Sequence, residues 1–204
     1  MEAIRKPLYL DISSIIPGIA FLLYISFTIF GLQHGKEEKV RWSFILYMLA
    51  LTVWSLGSFM MHANTGLLTT LFWNRFMVTG MFGGPITIYN AMIDLSETKS
   101  RRYSFFKYTG YFIYAFLLFL NFTGNIVSEA YFIENEFTYM LAPGSWAAYL
   151  LIYSYLILCI VLLVRELNRT ESKEVKKKLL LPLYGVSIML LGILANIYEP
   201  IGKY

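Results

Sequence analysis

Six long apolar runs restrict this sequence to one kind of fold. They cover residues 13–32, 43–62, 71–94, 105–123, 146–164 and 179–200, all approximate. A helix of about 20 apolar residues crosses the hydrocarbon core of a bilayer, whereas a surface helix of a soluble protein keeps a polar face. We therefore predict an all-α, polytopic membrane helical bundle with six transmembrane helices, which forms a single membrane-embedded domain over residues 1–204.

The composition agrees with a membrane location. The chain is 57% hydrophobic and only 15% charged, whereas an average globular domain is about 25% charged. The charged residues cluster between the apolar runs. The only cysteine, Cys159, lies inside the fifth run, so we expect a small buried apolar residue there and no intrachain disulfide.

The basic residues predict how the bundle is oriented. Most of the 17 Lys and Arg residues lie in the segments 33–42, 95–107 and 165–178, whereas the segment 124–145 has three glutamates and no Lys or Arg. Basic loops face the cytoplasm, so we expect the amino terminus to be extracytoplasmic. The run Lys176–Lys178 is interpreted first as an ordinary cytoplasmic anchor, with contact to anionic lipid head groups as the alternative.

The third run contains a helix-breaking sequence near its middle. Gly83, Gly84 and Pro85 would favour a turn in water, but a kinked helix through them is tolerated in a membrane because neighbouring groups bind the freed backbone atoms. Gly80 and Gly84 form a small-xxx-small pair that lets a second helix approach closely. Asp94 is interpreted as a residue at the cytoplasmic end of this helix.

Polar side chains gather at the predicted outer ends of the second, third and sixth runs. They are His62, Trp73, Arg75, Asn196 and Glu199. Ionisable groups near a membrane interior are costly and normally face a partner or a cavity. One hypothesis is an outward-opening ligand pocket in which Arg75 pairs with Glu199, His62 lies nearby and Trp73 forms a wall. The alternative is that these residues only contact lipid head groups.

No pattern in the chain indicates catalysis. The two histidines, His34 and His62, are predicted to lie on opposite sides of the membrane, and no His, Cys and carboxylate cluster has metal-ligand spacing. The sequence also has no phosphate-binding loop and no mid-span lysine for a Schiff base. We expect no enzymatic activity, no metal or other cofactor and no nucleic-acid partner.

Four stretches together carry a family resemblance. They are LTVWSLG (51–57), LFWNRFMVTG followed by Pro85 (71–85), SWAAYLLIYSYLILCIVLLVREL (145–167) and KKKLLLPLYGVSIMLLGILANIY (176–198). In their order and spacing they resemble the amino-terminal seven-helix membrane region of bacterial sensor histidine kinases, which also occurs on diguanylate cyclases. The resemblance begins near Arg41 and ends near Tyr198, before a seventh helix.

The resemblance implies a sensory function. In that family the amino terminus is outside, and the seventh helix leads to a cytoplasmic signalling domain. The expected partners are the lipid bilayer, an unknown small-molecule or lipid ligand, and a second copy in a homodimer formed through the signalling domain. Because the seventh helix is missing, we expect a truncated or divergent member. Two alternatives stay open: a small transporter or channel, favoured by the interrupted third helix, and a membrane partner subunit that binds through its acidic outer loop.

Overall fold

The computed structural model describes residues 12–34, 37–63, 68–96, 101–133 and 136–201, without the side chains of residues 12, 133, 136 and 193–201. Within these residues the chain forms six helices and one β-hairpin. The helices are α1 (Ile12–His34), α2 (Glu38–His62), α3 (Thr70–Leu95), α4 (Arg101–Phe122), α5 (Ser145–Arg169) and α6 (Lys173–Ile201). The strands are β1 (Val127–Ile133) and β2 (Glu136–Leu141), between α4 and α5.

The predicted all-α membrane bundle is confirmed. Five of the helices, α1 to α5, are long and apolar enough in the described residues to cross a bilayer. At the end that carries the basic loops, every helix extends beyond its apolar run; α5 continues to Arg169 and α6 begins at Lys173. Hydropathy reports only the part of a helix that lies in hydrocarbon, and polar residues continue the helix outside it. The hairpin was not predicted.

Helix α3 is the central helix of the bundle. Within its most apolar window 72% of the residues are buried, against 11% for α1. It packs against α2, α4, α5 and β1. Its buried side chains Phe82, Ile86 and Tyr89 share one core cluster with Leu156 and Leu162 of α5. Any change in the position of α3 therefore reaches most of the other elements.

Two glycines bring the backbones of α2 and α3 into direct contact. A Cβ atom on Gly57 would lie 2.6 Å from the backbone nitrogen of Met77, and one on Gly80 would overlap the backbone of Ala50 and Trp54. Only a residue without a side chain fits at such a crossing. The α2–α3 pair is accordingly the most extensive helix contact in the described chain.

Helix α3 runs without interruption through its glycine-proline sequence. Pro85 is buried and lacks the N–H that would bond to the carbonyl of residue 81. In the same turn the hydroxyl of Thr87 donates to the carbonyls of Gly83 (2.7 Å) and Gly84 (3.1 Å). The neighbouring helices pack around this turn and keep the helix whole.

The outer surface of the bundle is apolar. Large side chains such as Ile16 in α1, Phe112 in α4 and Leu181 in α6 are more than half exposed. In water such a surface would be unstable, whereas in a bilayer it is the surface that contacts acyl chains.

Candidate functional site at the hairpin end

The β-hairpin covers one end of the bundle, which we call the hairpin end. At the opposite end, which we call the basic end, α1, α3 and α5 end and α2, α4 and α6 begin. The strands are antiparallel, with Tyr131 opposite Thr138 and an irregularity between Val127 and Glu129. Their aromatic and β-branched residues favour strands. Strand β1 packs on α3, so the hairpin lies directly against the central helix.

Arg75, in the first turns of α3, fixes the hairpin to the bundle. Its Nη1 donates to the carbonyl of Phe122 (3.1 Å), and its Nη2 donates to the carbonyl of Val127 (3.2 Å). Phe122 is the last residue of α4, where carbonyls lack a donor within the helix. Gly124 leaves room for the guanidinium between these two carbonyls, because a Cβ there would lie 3.0 Å from Nη2. Its φ of +85° also favours glycine at this turn.

Asn121 completes the attachment from α4. Its side chain is fully buried, and its Nδ2 donates to the carbonyl of Arg75 at 2.7 Å. The two residues therefore bind each other's helix: Arg75 binds the end of α4, and Asn121 binds the backbone of α3. No described carboxylate lies within ion-pair distance of the Arg75 guanidinium.

Several buried polar atoms near Arg75 have no partner among the described residues. They are Trp73 Nε1, Asn74 Oδ1, Arg75 Nε and Asn121 Oδ1. Asn74 is 1% exposed, and its other amide atom makes only a long contact, 3.7 Å, to the sulfur of Met61. Buried polar groups normally have partners. The unpartnered donors of Trp73 and Arg75 and the unpartnered amide oxygens of Asn74 and Asn121 can each bind water or another polar group.

The other predicted pocket residues lie at the same end but on different elements. The ring of His62 packs edge-on against Phe137 of β2, with centroids 5.7 Å apart. Trp73 packs edge-on against Phe72 and Phe76, at 5.4 and 5.7 Å.

The remaining two predicted pocket residues fall outside the described side chains. These are Asn196 and Glu199, so the Arg75–Glu199 pair stays a prediction. The hairpin, which the sequence reasoning missed, supplies the Val127 carbonyl that accepts from Arg75 and the Phe137 ring that packs against His62. Two short strand-like runs on either side of Glu134–Asn135 were the available signal.

The glycines of α3 face different neighbours. Gly80 lies on the backbone of α2, as described above. A Cβ on Gly83 would lie 3.1 Å from the hydroxyl of Tyr114 in α4, whereas one on Gly84 would meet only the methyl group of Met189 in α6, at 3.7 Å. The closest backbone approach in this turn is therefore at Gly80 and not at Gly84.

At the basic end, Asp94 joins three helices. The hydroxyl of Ser43 in α2 donates to Asp94 Oδ2, and Lys107 Nζ of α4 lies 3.5 Å from the same oxygen. The side chains of Asp94 and Lys107 are 15% and 27% exposed, so the pair is partly shielded from solvent. Asp94 lies at the end of α3 as interpreted, but its two partners were not foreseen.

Polar contacts thus connect α3 and α4 along their length. We call this set the α3–α4 seam; its pairs are Arg75 with Asn121, Thr79 with Tyr114, and Asp94 with Lys107. In the middle pair the Tyr114 hydroxyl donates to the Thr79 carbonyl at 3.1 Å. The seam begins at the hairpin and ends at the basic end. Among the described residues, no group of three His, Cys, Asp or Glu residues could hold a metal ion.

The family comparison agrees with this architecture. A family model described as the N-terminal 7TM region of histidine kinase matches residues 15–203. The chain belongs to this family. The resemblance seen in the sequence is therefore confirmed, and this histidine kinase 7TM region is a multi-pass membrane protein of a sensory family. No curated protein and no solved structure matches the chain.

Proposed function

We propose that this histidine kinase 7TM region is a sensory input domain in which a stimulus at the hairpin end changes the packing of α3. The changed packing would reach the basic end and a cytoplasmic output domain outside this chain. The observation that carries the proposal is that the central helix is tied at its start to the hairpin, through Arg75, and at its end to α2 and α4, through Asp94. In this proposal the chain detects the stimulus and transmits the change in helix packing, and it has no catalytic activity of its own.

The proposed orientation puts the hairpin end and the amino terminus outside. The segment 124–145, which contains the hairpin, has no Lys or Arg, whereas the basic end has most of the basic residues of the chain. The positive-inside rule then assigns the basic end to the cytoplasm. In this orientation the hairpin is the part of the described chain that meets external ligands first.

A rigid helix can connect the two ends. Helix α3 has 26 residues, which gives it a length of ~39 Å at 1.5 Å per residue. Coupling over such a distance needs an element with two discrete arrangements that both ends bias. The turn at Gly83–Pro85, which lacks one ladder hydrogen bond, is the proposed bistable element. A stimulus can shift it only by binding its two arrangements with different affinity.

The proposed ligand site lies beneath the hairpin. His62, Trp73 and Arg75 would line it, with Asn196 and Glu199 contributed by α6. The unpartnered donors Trp73 Nε1 and Arg75 Nε support a ligand with acceptor oxygens, such as a small anion or a lipid head group. The unpartnered oxygens Asn74 Oδ1 and Asn121 Oδ1 would in turn accept from a hydroxyl group or a water molecule. A homodimer would form through the signalling domain.

The alternative function, a transporter or channel, rested on an interrupted third helix. The structure does not support that alternative, because α3 continues unbroken through Pro85.

The test uses the native protein in its source membrane. An antibody against residues 124–145 first measures the mass of the product on a blot. Phosphate incorporation into that product is then measured in native membrane vesicles, for the wild type, for Arg75→Gln and for the control Arg102→Gln, whose side chain is exposed at the basic end.

We expect a product much larger than 23.6 kDa and a basal phosphorylation that Arg75→Gln changes and Arg102→Gln does not. A product of the size of this chain, or equal phosphorylation in all three proteins, would contradict the proposal.

A further inference from the structure

We infer that the outer face of α5 at the basic end binds one anionic phospholipid. A shallow, open groove of about 510 Å³ lies there, along a single helix. The groove is lined by Ile160, Val161, Val164, Arg165, Asn168 and Arg169. This site is separate from the hairpin end, and the inference goes beyond the proposed sensory function.

The lining residues form one helical stripe, and all of them except the half-buried Ile160 are exposed on the side of α5 that points away from the core. They recur every three or four positions, which places them on one side of the helix. The core side of α5 is different and carries fully buried residues such as Leu156, Cys159 and Leu163. The groove therefore opens away from the described core, and a lipid bound there can keep its tail among the other lipids.

The stripe changes from apolar to basic at the depth where a bilayer changes from hydrocarbon to head groups. The rise from Trp146, which is exposed at the hairpin end, to Arg165 is ~29 Å at 1.5 Å per residue. The hydrocarbon core is ~30 Å thick. Val161 and Val164, which are 55% and 42% exposed, lie on the acyl-chain side of this boundary, and Arg165 and Arg169 lie at the head groups.

Arg165 is held ready for an anion by α4. Its Nη1 donates to the hydroxyl of Tyr103 at 3.2 Å, and its Cζ lies 5.9 Å from the centre of the Tyr103 ring. This double contact restricts the rotamers of a long side chain, so less conformational entropy is lost when it binds. The remaining guanidinium N–H groups point to no described acceptor.

Arg169 supplies a second cation one turn further along the same face. Residues four apart on a helix have neighbouring side chains, and Asn168 adds an amide donor between the two arginines. Arg169 Nη1 lies 3.6 Å from Glu166 Oε1, a distance too long for a hydrogen bond. Glu166 is mostly buried and offsets part of the positive charge, and it leaves the exposed Arg169 donors facing outward.

Charge complementarity selects an anionic lipid as the occupant. Two guanidinium groups and an amide within about one helical turn match the several acceptor oxygens of a phosphodiester, and Arg binds such groups in bidentate fashion. A protein helix in the groove would have to present carboxylates at the same depth. Cytoplasmic leaflets are rich in anionic lipid, and that leaflet is the relevant one in the orientation proposed above; binding itself does not depend on the orientation.

The experiment is native mass spectrometry of the purified full chain from vesicles of equimolar phosphatidylglycerol and phosphatidylcholine. We expect the wild type to retain one phosphatidylglycerol in preference to phosphatidylcholine. Arg165→Gln with Arg169→Gln should lower this preference by about tenfold or more, since hydrogen bonds between charged groups are lost. The double change to Lys should keep part of the preference, because charge remains without bidentate geometry.

The control is Lys176→Gln with Lys177→Gln, which removes the same charge from exposed positions outside the stripe. Unchanged preference in the control supports a site. Equal losses in both double variants, or no preference in the wild type, would overturn the inference in favour of general attraction to the basic loop.

Cross-linking of a Val161→Cys variant tests the remaining alternative, in which a second copy of the protein and not a lipid occupies the groove. Efficient dimer formation that is insensitive to phosphatidylglycerol would identify a protein interface and also overturn the inference.

Discussion

The amide of Asn121 donates to the carbonyl of Arg75 while the guanidinium of Arg75 donates to the carbonyl of Phe122, the residue next to Asn121. The two side chains thus join α3 and α4 in both directions, and Arg75 adds the hairpin through Val127. The bonds of Arg75 to Val127 and of Asn121 to Arg75 are partly buried, and a lower local dielectric strengthens such bonds. The start of α3, the end of α4 and the hairpin therefore form one unit.

The first prediction concerns this unit. Arg75→Gln removes both Nη donors and leaves the carbonyls of Phe122 and Val127 without their partner. We expect the free energy of unfolding to fall by about 1–2 kcal/mol. Labelling of Cys159 with a thiol-reactive dye during heating measures it, because this thiol is fully buried in the folded protein.

Arg102→Gln is the matched control, since Arg102 is exposed and its charge is the same. A melting temperature lowered equally by both substitutions would show that net charge matters and that the Arg75 contacts do not.

The sequence predicted the bundle well because a helix that crosses the hydrocarbon core of a bilayer must be apolar over its whole span, and hydropathy shows such a span directly. It did not predict the partners of Arg75. Reasoning from side-chain types suggested the carboxylate of Glu199, and that pair stays a prediction because the Glu199 side chain lies outside the described ones. The acceptors that the structure describes are the backbone carbonyls of Phe122 and Val127. Every residue has such a carbonyl, so no sequence pattern marks these two. The hairpin was missed for a related reason: its strands, Val127–Ile133 and Glu136–Leu141, are too short for their alternation to stand out.

The second prediction concerns the crossing of α2 and α3. Gly80→Ala would place a methyl group into the backbone of Ala50 and Trp54, and backbone atoms cannot move aside as a flexible side chain can. The helices must separate, so we expect a loss of about 1–3 kcal/mol in the same unfolding assay. Gly185→Ala is the control, because a Cβ there meets nothing within 4 Å. Equal stability of Gly80→Ala and the control would show that the crossing is looser than described.

The glycine pattern shows how far sequence reasoning reaches. The Gly80–Gly84 pair predicted a close approach on this part of α3, but it could not identify the opposing residues. The close backbone contacts at the crossing of α2 and α3 involve Gly80 and, from the facing helix, Gly57. A small-xxx-small pair within one helix is visible in a sequence, whereas a pair between helices depends on the rotation of both, which is set by the rest of the bundle.

The third prediction concerns the basic end of the α3–α4 seam. Asp94→Asn leaves the positive charge of Lys107 without its partner, and Lys107→Gln leaves the negative charge of Asp94 without its cation. Because both side chains are mostly shielded, we expect each single change to cost about 1–2 kcal/mol. The double variant should cost less than the sum of the two. A double-mutant cycle in the thermal assay measures this coupling, and strictly additive losses would show that the two residues do not interact.

The last prediction concerns the turn at Gly83–Pro85 of α3. Pro85→Ala restores an N–H in the middle of α3 and so permits the missing ladder hydrogen bond. If the turn has two arrangements, the straighter one gains stability, and basal output should change without any stimulus. A reporter strain that expresses the native protein measures that output. Pro17→Ala is the control, because Pro17 also lies inside a helix but in α1, the least buried span of the described chain. Unchanged output in Pro85→Ala at normal expression would remove this turn from the signalling mechanism, and an equal change in both variants would point to a general effect of helix straightening.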